Sequence, residues 1–559
     1  MVVFVTYIMY QEQRRAEFTP EEVAFQVDAE ESRARDQAAA NAADTSQARR
    51  PFEASGAVAI DTDLRNTGVA TPVRVIGLAT STIQNDSVIA EISNGPALIT
   101  SWILRDFNER LPDGDVPIEL IGDGEPIIVT DVGGISGASF ARSRFEVVRE
   151  STREVVQRAE NTAGILTRTI RLDEEGYGFD LELSFESRRT DPLDVRFEIF
   201  VPARTSERSD FQEISLIAYG EEEGVTRTFV QAVGQPGFFS FGEVGDGIER
   251  IEGSSKWAGF DVRYFAGLLI DPKEKPRLRV EFATLEEGKS SHARLTLPGV
   301  AVSSGGVAVE SLRGFLGPKT VDALSQAHAN LGKSVDRGWS WLEPLTRFFE
   351  IALDKLYTFI PNYGLAIIVL TIMVRIVTAP LMVRQMRSAE RMREVQPRLK
   401  ALQERFKDNK QKQSEEMMKF YREEGINPLG GCLPLVLQMP VLIGLFYALR
   451  TSIGLRHAPF IFWIDDLSQP ATLFTLPGVD FPVRILPLIM GASMFVQQKM
   501  MPQTGMDPVQ ARMMLIMMPG MMLFISYTFP SGLVLYWTVS NLLGIAHQYW
   551  VRNHLQPKS

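Results

Sequence analysis

Arg375 sets the chemical problem of this sequence. It stands in a run from Tyr363 to Val383 that is otherwise apolar or only weakly polar. At about 1.5 Å per helical residue it lies roughly 18 Å along such a helix, near the middle of a hydrocarbon layer about 30 Å thick. A lone arginine there costs between about 2.5 and 17 kcal/mol, according to context. No acidic residue stands inside the four later apolar runs to pair with it. The cost is bearable if water reaches the guanidinium, which predicts a wet groove. The alternative is snorkelling toward the nearer surface, a reach of about eight residues to Val383.

Further polar residues in the apolar runs could line that groove. Thr371 lies one turn before Arg375 on the same helix face. Gln438, Ser493, Gln497 and Asn541 stand in later runs, with Trp537 one turn from Asn541. Taken singly, each reads equally as a packing or interhelical hydrogen-bonding residue. Met513, Met514, Met517, Met518, Met521 and Met522 crowd one run. Flexible thioethers suit a surface that accepts varied apolar partners, or simply one that faces lipid.

The elements that must position these residues are predicted membrane spans. The first is Tyr363 to Val383. The second core is Pro434 to Leu449, and the third is Ile485 to Val496, reaching back to Phe481. The fourth is Met513 to Phe529 and the fifth Gly532 to Trp550. Between the first two lie Arg384, Arg387, Arg391, Arg393, Arg398, Lys400, Arg405, Lys407, Lys410 and Lys412. Basic loops stay cytoplasmic, so span one runs inward and the C-terminus returns to the cytoplasm. Within that loop, residues 384–425, Val395, Leu399, Leu402 and Phe406 form one narrow stripe and Met417, Phe420 and Tyr421 begin another. A helical hairpin is expected, read either as a docking site for a ribosome or targeting factor or as a solvated connector.

Ahead of the spans, residues 335–361 predict an amphipathic helix lying in the membrane interface. Leu342, Leu345, Phe349, Leu353 and Leu356 recur on one face, with Trp339 and Trp341 at one end. Residues 52–334 change to period two: Phe179-Asp-Leu-Glu-Leu-Ser-Phe, Val195-Arg-Phe-Glu-Ile and Leu278-Arg-Val-Glu-Phe each bury one face. Many short half-buried strands predict an antiparallel sandwich on the far side of the membrane. Asp61 and Asp63 share a strand face there and read as solvated. Residues 11–51 read as a flexible linker. Residues 1–10 are apolar but too short to span, and read as the end of a longer signal anchor.

Composition excludes several classes. With 58 Lys and Arg against 69 Asp and Glu, the net charge is −11, against a nucleic-acid binder. One cysteine, Cys432, and five scattered histidines offer neither a disulfide nor a zinc cluster. No Walker loop or nucleophile elbow is present, so no enzyme, cofactor or metal is expected. A solute transporter with Arg375 as counter-ion is the rival reading, but no internal repeat supports it.

The motifs then become specific. Ile372-Met-Val-Arg375 with Pro380-Leu381, NPLGGCLP from Asn427 to Pro434, and Gln438-Met-Pro440 occur in that order. Gln498-Lys-Met500, Asp507-Pro508, FPSGLVLYW from Phe529 to Trp537, and Ser540-Asn541 follow. This series, from about Trp339 to Trp550, resembles the YidC family of membrane-protein insertases. The β region resembles, more weakly, the periplasmic domain of the Gram-negative members. The resemblance implies an α-helical polytopic bundle in the bacterial inner membrane, with an all-β periplasmic sandwich and a cytoplasmic helical hairpin. It implies a hydrophilic groove that receives nascent membrane proteins and releases their segments into lipid, with or without the Sec translocon. It also implies a chaperone role in the folding of membrane proteins. Arg375 matches the family's arginine, and Thr371 and Trp537 carry over by motif. Gln438, Ser493 and Asn541 join them on polarity and depth alone.

Overall fold

The computed structural model describes residues 78–111, 114–121, 127–133, 139–205, 213–235, 247–286, 289–407, 409–424, 433–476, 478, 481–500 and 508–555. The expected anchor and linker at residues 1–51, Asp61, Asp63 and Cys432 lie outside them.

The described strands between Thr80 and Pro318 form two antiparallel sheets. The first runs in space through Thr80–Gln84, Val88–Ser93, Ala97–Leu111, Ile127–Gly133, Leu193–Arg204, Ser290–Thr296, Arg279–Glu286 and Ile248–Arg250. The second runs through Gly224–Phe229, Ser215–Gly220, Ser255–Asp261, Phe265–Ile270, Val307–Pro318, Gly178–Ser187, Gly164–Leu172, Glu154–Glu160 and Glu146–Glu150. Alternation sets the faces. Phe179, Leu181, Leu183 and Phe185 are buried while Asp180, Glu182 and Glu186 point to water. Each such apolar side chain contributes about 1.5–3 kcal/mol by leaving water. Across the core, Trp102 of the first sheet meets Phe179 of the second with ring centroids 5.4 Å apart. Its indole nitrogen donates to the Leu316 carbonyl at 2.9 Å, so this large core residue also ties the sheets together.

Arg168 is buried in this sandwich without a carboxylate partner among the described residues. Arg168 Nε donates to Gln157 Oε1 (2.7 Å), and Nη2 to the carbonyls of Ser93 (2.9 Å) and Gly95 (2.7 Å). Nη1 donates to the Pro96 carbonyl (3.2 Å), and the guanidinium sits 3.7 Å over the Phe145 ring. Burial pushes its pKa down to about 9, so it remains cationic at neutral pH.

The chain leaves the sandwich through α1 (Val321–Ala327), whose N-cap Thr320 accepts from the Ala323 amide. Buried Arg337 then donates to Glu350 Oε2 at 3.0 Å, on α2 (Glu343–Phe359). That helix starts later than the pattern predicts. Trp339 and Trp341 precede it, exposed and stacked on each other at 6.1 Å. Phe349 and Leu353 are buried as expected, and the Gly444 backbone leaves room for Leu345 and Phe349 to pack on α5 (Leu433–Thr451). Phe348 and Phe359 face outward, 58% and 84% exposed.

After the N-cap Asn362, α3 runs unbroken from Tyr363 to Arg405, 43 residues. The sequence reading ends the membrane span at Val383, and the helix itself runs on past that point, because the residues from Arg384 to Asp408 are mostly strong helix formers with no glycine among them. Pro380 and Pro397 each remove one hydrogen bond without ending the helix. Helix α4 (Lys410–Glu423) folds back so that Phe420 and Tyr421 pack on Val395.

Three further helices follow: α6 (Ile485–Met500), α7 (Pro508–Ser526) and α8 (Ser531–Leu555). The expected reach of the third run back to Phe481 is not helical. Phe481–Val483 pairs instead with Phe474–Leu476 as a short antiparallel hairpin, since Pro482 suits a turn-flanking edge strand. Among the described residues, one helix is long and apolar enough to cross a membrane by itself. It is the 18-residue stretch Tyr363–Pro380, and a shorter apolar stretch runs from Leu515 to Ser526.

Candidate functional site

Helix α3 brings Arg375 against α8. The guanidinium donates through Nε (3.1 Å) and Nη2 (2.6 Å) to the same Ser540 hydroxyl, and through Nη1 to the Met382 sulfur (3.2 Å). No carboxylate lies within ion-pairing distance of it among the described residues. Gly544, one turn beyond Ser540, explains the close approach. A Cβ there would lie 3.7 Å from Arg375 Nη2 and 2.5 Å from Gln497 Nε2. One turn before Ser540 stands Tyr536, whose buried hydroxyl accepts from Gln438 Nε2 on α5 at 3.1 Å. Tyr536, Ser540 and Gly544 therefore form one stripe of α8, four residues apart, facing α3 and α5.

The six residues singled out by sequence are distributed unequally. Arg375 and Gln438 meet on the Tyr536–Ser540 stripe. Asn541 donates to Ser493 Oγ on α6 at 3.1 Å, and Ser493 donates in turn to the Met490 carbonyl at 2.7 Å. They form a second polar contact on the adjoining face of α8. Trp537 is half-buried and stacks on Phe529, ring centroids 6.1 Å apart. Thr371 is 1% exposed and spends its hydroxyl on the Ile367 carbonyl of its own helix at 2.6 Å. It contacts none of the others by hydrogen bond.

Sequence reasoning missed Ser540 and Tyr536 as partners. Their signal was present in the spacing Tyr536, Ser540, Gly544, a polar and small stripe at helical period beside the chosen Trp537–Asn541 stripe.

Chemically, the cluster is a cation held by a hydroxyl and a thioether, both weaker acceptors than a carboxylate. Around it α3 turns apolar side chains outward: Met373, Ile376 and Val377 are 50%, 67% and 79% exposed. The arrangement offers a charged point beside an apolar helix face. Among the described residues no group of three His, Cys, Asp or Glu side chains could hold a metal ion.

Comparison with known proteins covers both regions. Residues 80–350 match a family model described as the YidC periplasmic domain, and residues 355–558 match one described as the 60Kd inner membrane protein. The membrane protein insertase YidC of Pelobacter propionicus is 40% identical over 301 residues, 53% of this chain and 54% of its own. That of Vibrio cholerae is 40% identical over 302 residues, 54% of this chain and 53% of its own. That of Nitratidesulfovibrio vulgaris is 38% identical over 320 residues, 56% of each. The chain thus spans about half the length of the curated relatives it matches. A crystal structure of an active YidC insertase with its first transmembrane domain resolved is 19% identical, with a TM-score of 0.35, covering 85% of this chain and 94% of that one.

Proposed function

Because the chain belongs to the YidC family, we propose that it is a membrane protein insertase of the bacterial inner membrane. In this reading, α3 to residue Pro380 and helices α5 to α8 form the polytopic bundle. The sandwich lies in the periplasm, α2 lies in the interface with Trp339 and Trp341, and the C-terminus is cytoplasmic. The far half of α3 and α4 form the cytoplasmic hairpin, where a ribosome or targeting factor would dock. A Sec translocon is a further partner of this reading.

The observation that carries it is the setting of Arg375: a cation on a span-length helix, answered among the described residues by Ser540 and Met382, beside an exposed apolar face. A nascent segment with an acidic or polar flank enters as a hairpin. Its carboxylate displaces the weaker acceptors, because charge-assisted bonds to a carboxylate are about twice as strong as neutral ones. Groove water lowers the desolvation cost of carrying the flank partway. The apolar segment then leaves sideways along Met373, Ile376 and Val377 into lipid, and that transfer drives the step. No covalent bond is made or broken by the chain, and the groove residues bind rather than catalyse. Gln438, Ser493, Trp537 and Asn541 extend the polar wall, and Thr371 joins it if α3 turns during loading.

The test is site-specific photocrosslinking during synthesis of a single-span protein. A photoreactive side chain at Trp537 or Gln438 is expected to capture the nascent chain, while one at exposed Val148 of the sandwich does not. Capture of lipid alone at both bundle positions would sink the reading.

A further inference from the structure

We infer that the segment between α5 and α6 carries an apolar finger that inserts into the leaflet at the amino-terminal end of α3, so that its ligand is a lipid surface. The inference rests on the reading above that α3 spans a bilayer. Phe462 is 86% exposed and Ile461 49% exposed. In the adjoining hairpin Phe474, Leu476 and Phe481 are 50%, 42% and 49% exposed. Phe460 and Trp463 on either side pack on the helical core, whereas Phe462 between them does not. Phe462 also has φ +55°, a left-handed conformation that an aromatic residue rarely adopts. Backbone strain that holds an apolar ring outward needs an environment that accepts the ring.

The finger is fastened to the helix ends at both sides. Phe460 fills the space where a Cβ on Gly364 would stand, in the first turn of α3, and Tyr363 likewise packs against Gly454. At the other side the Tyr527 hydroxyl donates to the Pro482 carbonyl, and its ring stacks on Phe481 at 5.6 Å. Arg484 donates to the Tyr527 carbonyl and lies 5.0 Å over its ring. The attachment points are therefore the start of α3, the start of α6 and the end of α7. Tyrosine and arginine at helix ends mark the headgroup level of a bilayer. The finger meets α3 where Phe460 packs on Gly364, beside Leu365, which is 46% exposed and starts the outward apolar surface of that helix; this is the continuity of the patch with the span. That continuity selects lipid over a soluble partner: the patch begins where the span's own lipid-facing surface ends.

The experiment uses the full chain with Cys432→Ser, reconstituted in phosphatidylcholine–phosphatidylglycerol vesicles. Nitroxide labels go at Phe462→Cys or Phe474→Cys. Val377→Cys on α3 serves as the lipid reference and Val148→Cys on the sandwich as the water reference. Collision with oxygen is compared with collision with a water-soluble nickel chelate. The finger labels are expected to favour oxygen, as Val377→Cys does. Two results overturn the inference while Val377→Cys still reports lipid: finger labels that collide with the chelate as Val148→Cys does, or labels shielded from both reagents, which means a protein surface such as a second copy covers them. If Val377→Cys itself collides freely with the chelate, the spanning assignment of α3 fails first.

Discussion

Arg168 and Arg375 both lie away from any carboxylate among the described residues, one between sheets and one between helices, and their surroundings differ in kind. Arg168 reaches four acceptors, three of them backbone carbonyls of the bend at Ser93, Gly95 and Pro96. The Ser93 carbonyl also accepts from Gln157 Nε2 (3.1 Å), so the arginine, Gln157 and the bend satisfy one another. Arg375 reaches two acceptor atoms, a hydroxyl and a sulfur. Its capacity for a stronger partner is unspent. The comparison teaches that a buried cation is structural when the fold supplies its acceptors, and becomes a candidate binding group when it does not.

The largest expected effect breaks the structural half of this comparison. Arg168→Met takes the donor from the Gly95 and Pro96 carbonyls and from Gln157 Oε1, at about 1–3 kcal/mol each, so the sandwich should lose roughly 4 kcal/mol. Hydrogen exchange of the strands in the full chain measures it. Unchanged protection would mean that water replaces the guanidinium and that Arg168 is dispensable.

His292 gives the sandwich its exception. It is 2% exposed, both ring nitrogens lack hydrogen-bond partners among the described residues, and Phe200 and Arg294 are its neighbours. Burial first, and then Arg294, push its pKa down to about 4. The unfolded chain therefore binds the proton more readily than the folded one. Stability is fully present above about pH 6.5 and is lost as pH falls toward 4, by up to about 3 kcal/mol. His292→Phe should flatten that part of the stability profile in urea titrations, and an unaltered slope would assign the acid sensitivity elsewhere.

Arg375→Ala tests the other half. Insertion of a single-span substrate into vesicles should fall about ten- to a hundredfold, the equivalent of roughly 1.4–3 kcal/mol for one charged hydrogen-bonding group. Strand exchange should stay unchanged. Arg375→Lys should retain part of the activity if charge matters, and little if the planar fork does. Loss of protection throughout the helices on Arg375→Ala would make this arginine structural, like Arg168.

The smallest effect belongs to Ser540→Ala. It removes one neutral acceptor worth about 1 kcal/mol, so insertion should drop only about fivefold. A loss as deep as that of Arg375→Ala would show that Ser540 is a full member of the binding group and not a placeholder.

Much of the architecture was legible in the residues. The alternation of Phe179, Leu181, Leu183 and Phe185 specified a strand and its buried face, because a pleat has period two. The apolar run after Tyr363 specified the helix that holds Arg375. The helix runs through the join at Val383, since the change from apolar to basic residues alters solvent and not backbone preference. Phe481 was misread because hydrophobicity alone does not distinguish a hairpin strand from a helix start.

For the site, residue types and depth along the chain determined that Arg375 must find unusual partners. They did not determine which ones. Each step along α8 turns the helix by about 100°, so Trp537–Asn541 and Tyr536–Ser540–Gly544 are neighbouring stripes with similar chemistry. Packing chose between them: the small Gly544 and Ser540 let α3 approach one stripe, while Ser493 took Asn541 on the next. A sequence carries the stripes, but the rotation of one helix against another is a property of all the side chains between them, and only the folded bundle decides it.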